Sequence, residues 1–189
     1  MIKAAYTDKD LVVDILAKSF ETNQSVNYII RQDARKLKRI RHLMDYSFEL
    51  CFLFGDVFLS ADKKACALVL YPEKKKATLK AILLDLKLIF FSVGLQNIRK
   101  TLAREAMIKK LQPRERMAYL WFIGVDPEYQ NTGIGTQLLN EVIQNSRLKN
   151  RPVYLETSTA KNLPWYKKVG FQVYQELDLT YKLFFLKYS

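Results

Sequence analysis

The stretch from Met117 to Thr136 constrains the fold more than any other part of the chain. Met117 to Val125 is an apolar run that reads as a buried strand. It stops at Asp126-Pro127. Gly133 and Gly135 then open a segment in which Ile134, Leu138, Leu139, Val142 and Ile143 repeat at helical spacing. A buried strand that turns directly into a helix belongs to an α/β architecture. Glycines at such a turn leave backbone N–H groups unobstructed at the positive end of the helix dipole, where phosphate groups bind. A plain strand-to-helix turn is the other reading of the same residues. No Gly-Lys-Ser/Thr follows, so this is not a nucleotide P-loop. Leu138 holds the third glycine position, so it is not a full dinucleotide fingerprint either.

The rest of the chain fits around that unit. Ile2 to Tyr6 reads as a short strand, with Thr7 and Asp10 as a capping pair for a helix that places Leu11, Val12, Ile15, Leu16 and Phe20 on one face. A second helix, from Ala34 to Cys51, is expected to turn Leu37, Ile40, Met44, Phe48 and Cys51 inward. Arg35, Lys36, Lys38, Arg39 and Arg41 face outward, and Gly55 ends it. Val57 to Ser60 and Ala65 to Tyr71 form a hairpin around Asp62-Lys63-Lys64. Leu79, Ile82, Leu83, Leu86, Ile89, Phe90 and Val93 make an apolar stripe, widened by Leu84, Leu88 and Phe91, so that this helix is expected to pack on two sides. Gly94 breaks it, and another helix runs to Lys110. After the central unit come a strand at Val153 to Glu156, a short helix at Leu163 to Val169, and strands at Phe171 to Leu177 and Tyr181 to Lys187. With 189 residues, 49% hydrophobic and 26% charged, residues 1–189 read as one α/β domain with a mixed sheet that needs no staples.

Composition excludes several function classes. Cys51 and Cys66 are the only cysteines and His42 the only histidine, which rules out a four-ligand Cys/His zinc site; no metal is expected. Both cysteines sit among apolar neighbours and read as buried free thiols. His42 reads as a solvated helix residue. No apolar run reaches the roughly 18 residues that span a bilayer. Asp8 and Asp10 interrupt the start where a signal peptide would be apolar. The expectation is a cytoplasmic protein with no membrane partner. The net charge of +12 attracts polyanions, whether nucleic acid, an anionic surface or a phosphorylated small ligand.

Two blocks carry a family resemblance. Gln130-Asn131-Thr132-Gly133-Ile134-Gly135 resembles the pyrophosphate-binding signature of the GNAT superfamily of N-acetyltransferases. Leu155-Glu156-Thr157-Ser158, followed by Asn162-Leu163-Pro164-Trp165-Tyr166-Lys167-Lys168-Val169-Gly170-Phe171, resembles the family's strand and short helix, most closely in the puromycin N-acetyltransferase-like branch. The resemblance implies a mixed, mostly antiparallel α/β (α+β) sheet with splayed strands, flanked by helices. It implies acetyl-CoA as cosubstrate, held by backbone groups of Phe122, Ile123, Gly124 and Val125 on the strand and by Gln130, Asn131, Thr132, Gly133, Ile134, Gly135 and Thr136 at the turn.

Tyr166 matches the tyrosine that protonates the departing thiolate, and a phenol within hydrogen-bond reach has the chemistry to do so. An ordinary half-buried aromatic beside Trp165 is the alternative. Asn162 matches a cofactor-contacting position in that branch and is equally an N-cap. Many superfamily members carry Asn where this chain has Thr159. No acid lies on Tyr119 to Val125, so Glu156 is the candidate base, with a structural carboxylate as its other reading. Residues 73–116 exceed the family's minimal hairpin and read as a helical insertion beside the acceptor site. The implied activity is direct acetyl transfer, in a ternary complex, to a small-molecule or protein amine. A homodimer stays open. The rival is a basic RNA- or ribosome-associated binding module on the same fold, although no RNA-binding signature is present and nucleic acid is not the expected partner.

Overall fold

The computed structural model describes residues 1–188. Its centre is a seven-stranded sheet in the order β1-β2-β3-β4-β5-β7-β6. The strands are β1 (Ile2–Lys3), β2 (Gly55–Leu59), β3 (Ala65–Leu70), β4 (Ala118–Val125), β5 (Val153–Thr157), β6 (Phe171–Asp178) and β7 (Lys182–Tyr188). Every neighbouring pair is antiparallel except β4 and β5. The expected mixed, mostly antiparallel sheet is what the chain forms.

Helices cover both faces. On one lie α1 (Lys9–Ser19), α2 (Gln24–Ile29) and α3 (Lys36–Phe54), followed by α4 (Leu79–Leu88) and α5 (Ile98–Leu111). On the other lie α6 (Ile134–Leu148) and α7 (Leu163–Val169). β3 shows why two cores form. Cys66, Leu68 and Leu70 join the cluster under α1 and α3, while Ala65, Ala67 and Val69 join the cluster under α6. All six are buried, as a central strand with both faces covered requires.

Several local expectations are corrected. The first strand is only two residues long. The first capping contact comes from Asp8, whose carboxylate accepts the Ala5 N–H at 2.9 Å, and not from Thr7 with Asp10. Leu11 and Leu37 are exposed instead of inward. Helix α2 was not expected; the Asn23 side chain caps it by accepting the Val26 N–H at 3.0 Å. The largest departure is α4. Its buried residues are Ala81 and Leu84, while Leu79, Ile82, Leu83 and Leu86 face outward. A single π-type turn, Ile89–Val93, continues it to Gly94, whose φ of 74° reverses the chain into α5.

Some polar groups are deeply buried. Glu49 on α3 accepts from the Tyr6 hydroxyl at 2.5 Å and pairs with Lys9 at 2.8 Å and Lys80 at 2.9 Å. Burial opposes its ionisation, yet these partners outweigh it and hold the carboxyl at about 2. The cluster ties the N-terminal segment, α3 and α4 together. Cys51 and Cys66 are buried free thiols, as expected.

Candidate active site

β4 and β5 are paired only at Ala118–Val153 and Tyr119–Tyr154. Beyond Tyr119 their ladder ends, while β4 keeps its other partner: Phe122, Ile123, Gly124 and Val125 stay in register with Leu68, Ala67, Cys66 and Ala65 of β3. The β5-facing edge of these four residues is therefore free of a strand partner. A bulge lies at Trp121, since Leu68 faces Phe122 while Val69 faces Leu120. The extra residue shifts the side-chain alternation, so Trp121 and Phe122 both pack on the α1/α3 side of the sheet. Tyr46 and Phe20 meet these two rings edge-on, at 6.2 Å and 5.0 Å between centroids.

At the end of β4, Asp126 accepts the Glu128 N–H at 3.2 Å and starts a single helical turn, Pro127–Tyr129. Thr132 donates to the Tyr129 carbonyl at 2.6 Å. Asn131 and Gly133 take φ values of 63° and 88°, and α6 begins at Ile134. The first N–H groups of α6 have no carbonyl one turn earlier to bond. Gln130, Asn131, Thr132 and Gly133 are exposed around them, and Ile134, Gly135 and Thr136 are half-buried.

The two glycines have different reasons. A Cβ at Gly133 would meet nothing within 4 Å, so its left-handed backbone is the constraint. A Cβ at Gly135 would lie 3.0 Å from the Val125 side chain. Gly135 therefore lets α6 sit close against β4.

A cavity of about 760 Å³ lies where β4 and β5 part. Tyr166, Asn162 and Thr159 line it from the α7 side, Glu156 from β5, and Trp121 and Phe122 from β4. The Tyr166 side chain is buried, stacked at a tilt on Trp165 with centroids 4.6 Å apart and edge-on to Phe171 at 5.7 Å. Burial raises its phenol above the ordinary range. Asn162 holds the N-cap position of α7, but its side chain makes no capping bond. Pro164 occupies the first turn, as its missing N–H allows. Trp165 donates its indole N–H to Thr136 Oγ1 at 2.9 Å, so α7 is fixed to the start of α6.

Glu156 accepts from the Tyr119 hydroxyl at 2.6 Å and from the Gln112 amide at 2.8 Å. Burial pushes its carboxyl above the usual carboxylate range, against the pull of those two bonds and of Arg104. A carboxyl in that state exchanges a proton nearer neutrality than an exposed one does. The structure thus brings Tyr166, Asn162 and Glu156 to one cavity, with Gln130 to Thr136 at the turn that leads into α6. His42 stands apart, half-buried against Phe91.

Residues missed in the sequence complete the walls. Arg104 on α5 is buried. Its Nε donates to the Tyr181 hydroxyl at 2.9 Å, and it also bonds Ser25 and Glu105. Asp85 on α4 accepts from the Tyr46 hydroxyl at 2.7 Å, and both residues line the cavity. Thr101 lines it too, with its hydroxyl buried and without a hydrogen-bond partner. Asp85 carried a signal: it is the sole acid in the apolar segment from Leu79 to Leu95. Arg104 carried none, because it sits among other basic residues on α5.

Comparison with known proteins gives the fold and a family likeness over part of the chain. The model of the acetyltransferase (GNAT) domain family matches residues 98–173. The chain is 36% identical over 58 residues to a glucosamine 6-phosphate N-acetyltransferase of Trypanosoma brucei brucei, covering 29% of this chain and 40% of that protein. It is 48% identical over 52 residues to the N-alpha-acetyltransferase RimI of Mycobacterium tuberculosis, covering 26% and 32%. The matched stretches thus span less than half the length of these relatives. A structure described as histone acetyltransferase HPA2 and related acetyltransferase, from Corynebacterium glutamicum, superposes with a TM-score of 0.69 at 18% identity, over 98% of this chain and 93% of that one. The fold is that of solved acetyltransferase structures, and residues 98–173 are similar to the acetyltransferase (GNAT) domain family.

Proposed function

We propose that this protein transfers an acetyl group from acetyl-CoA to an amine that enters the cavity walled by α2 to α5. The observation that carries the reading is the meeting of three features where β4 and β5 part: the amide-lined start of α6, the free edge of Phe122 to Val125, and the buried hydroxyl of Tyr166. They fit a phosphate-bearing cosubstrate with an extended amide arm. The turn from Gln130 to Thr136 offers N–H groups and a helix dipole to a pyrophosphate. The β4 edge offers the donors and acceptors of an unpaired strand to the pantetheine amides. Asn162 lines the same cavity and is free to contact that arm. The resemblance to the puromycin N-acetyltransferase-like branch belongs to this reading and rests on the string from Leu155 to Tyr166.

Acetyl-CoA, when bound, supplies the acetyl group and a thiolate leaving group. Glu156, with its raised pKa, accepts the proton that an ammonium acceptor must shed before its nitrogen can attack, directly or through a water molecule. A backbone N–H of the free β4 edge polarises the thioester carbonyl as the new C–N bond forms. Tyr166 donates its proton to sulfur as the C–S bond breaks. Neither cysteine is suited to carry the acetyl group, since burial pushes both thiols up and Cys51 and Cys66 pack in the core. Transfer is therefore direct, in a ternary complex.

The acceptor class follows from the walls. Ile29, Leu43, Leu88 and Ile89 are apolar, and among the described residues no lysine or arginine pairs at contact distance with the acids Asp85 and Glu156, although Lys75, Arg104 and Lys109 also line the cavity. An amine with an apolar body suits both. The test is a panel of amines assayed by release of free CoA, with cosubstrate binding followed separately by the rise in melting temperature. Turnover of alkyl- or arylalkylamines above amino sugars and polyamines is expected. No thermal shift and no calorimetric binding of acetyl-CoA would overturn the proposal. Tight RNA binding that falls steeply with salt would point to the rival module instead.

A further inference from the structure

The stripe that sequence periodicity marks for burial faces outward. Leu79, Ile82, Leu83, Leu86 and Phe90 follow helical spacing along one side of α4 and its π turn, and all are exposed. The stripe runs to a corner at Gly94, where the axes on either side meet at 101°. There Phe90 is 60% and Leu95 67% exposed, and Leu102 on α5 adds another exposed apolar side chain. A soluble monomer seldom leaves so large a contiguous patch uncovered without a use for it.

The rim of the patch is basic. Lys74, Lys75 and Lys76 precede α4, Lys87 lies within it, and Arg99 and Lys100 follow the corner; all six are exposed. The acids of the same region are paired, Glu73 with Arg151 at 2.6 Å, Asp85 with Tyr46, and the exposed Glu105 on α5 with Arg104. On the neighbouring helix, the exposed residues around Leu37 are Arg35 and Lys38. Arg31 packs its stem against Gly94. An apolar ridge with a predominantly positive rim matches the interface of an anionic bilayer, with rings and leucines at the acyl boundary and ammonium groups among the phosphates.

We infer that the α4–Gly94–α5 corner seats this protein on the surface of an anionic lipid bilayer. A second copy fits less well, because a two-fold contact would set the positive rim against itself. Among the described residues no single helix is long and apolar enough to cross a membrane. The inner side of α4 is occupied, with Leu84 in the core and Asp85 bonded to Tyr46, so the pair lies on the fold and does not thread a bilayer. The expectation of no membrane partner, drawn from the lack of a spanning run, does not cover this mode. Leu88, Ile89, Val93 and Leu102 of the same corner line the cavity. Docking would therefore bring the bilayer to the roof of the candidate active site.

The test is flotation of the full chain with vesicles of phosphatidylglycerol and phosphatidylcholine, beside vesicles of phosphatidylcholine alone, at low and raised salt. No acetyl transfer enters the readout. Binding to the anionic vesicles, partly retained at raised salt, is expected. Phe90→Ser with Leu95→Ser should weaken it about a hundredfold or more, the size expected for losing two buried apolar side chains. Circular dichroism and melting check that variant's fold; if it fails to fold, Leu79→Gln with Leu83→Gln takes its place and should show the same loss. Three results overturn the inference: no binding to anionic vesicles, equal binding by the folded variants, or a dimer in sedimentation velocity that the variants dissolve while vesicle binding is absent.

Discussion

The indole N–H of Trp165 lies 2.9 Å from Thr136 Oγ1, so the residue beside Tyr166 is held by the first turn of α6. One hydrogen bond joins the two blocks that resemble the acetyltransferase signature. Tyr166, the proposed acid, and the turn from Gln130 to Thr136 are thereby fixed in one frame. Trp165→Phe keeps an aromatic ring and removes the donor. The fold should survive, with a stability loss of about 1 kcal/mol. Steady-state kinetics should show lower turnover and a raised KM for acetyl-CoA together, because both groups lose registration. A change in only one of them would mean that the bond is structural alone.

Tyr166→Phe removes only a hydroxyl. The stacking on Trp165 and the edge contact with Phe171 remain. Turnover should fall on the order of 10²-fold or more, the range of general acid catalysis, while direct titration shows nearly unchanged acetyl-CoA affinity. Near-normal turnover would make Tyr166 a packing residue, and a large affinity loss with normal turnover would make it a positioning group.

Glu156→Gln tests the base. The folded carboxyl holds its proton to a higher pH than an exposed glutamate does. The ionised, proton-accepting form is therefore lost as pH falls through that raised value, and kcat/KM should fall with it. In the variant that acid limb should vanish and turnover drop on the order of 10²-fold. Stability carries the opposite sign. Wild-type protein loses stability as pH rises from the unfolded pKa to the raised folded one, because ionisation is easier in the unfolded chain. Thermal melts of the variant should lack that decline. An unchanged pH–rate profile would exclude Glu156 as the base.

The glycines of the turn should separate by mechanism. Gly133→Ala has room for its methyl but not the preferred backbone, and should cost about 1–2 kcal/mol. Gly135→Val would press on Val125 and push α6 from β4, costing about 1–3 kcal/mol and weakening acetyl-CoA binding as well. Denaturant melts and calorimetric titration read the two effects independently. Full affinity in a folded Gly135→Val protein would remove this turn from the binding site.

How far the sequence could be read follows from where the information lies. The turn from Val125 to Thr136 and the short helix of Tyr166 are local, so their glycines, proline and apolar spacing show in the chain itself. The hairpin around Lys63 was legible for the same reason. The outward stripe of α4 was not, because periodicity reports that an apolar face exists and not which way tertiary packing turns it. The contact between Glu156 and Gln112 joins residues 44 apart in the chain. Arg104 reaches Ser25 and Tyr181 across still longer separations. No local pattern encodes such pairings. Helix α2 spans six residues, too short for its period to stand out from a loop.

The early parting of β4 and β5 has a consequence for how the ligand-free protein behaves in a crowded solution. From Phe122 to Val125, the backbone on one side of β4 has no neighbouring strand inside its own sheet. An edge in that state is a template for any extended peptide, including the same edge of another molecule. Cosubstrate bound along it would act as a stopper. Protein purified without acetyl-CoA should therefore be the more prone to self-association on standing, and storage with the cosubstrate should suppress it.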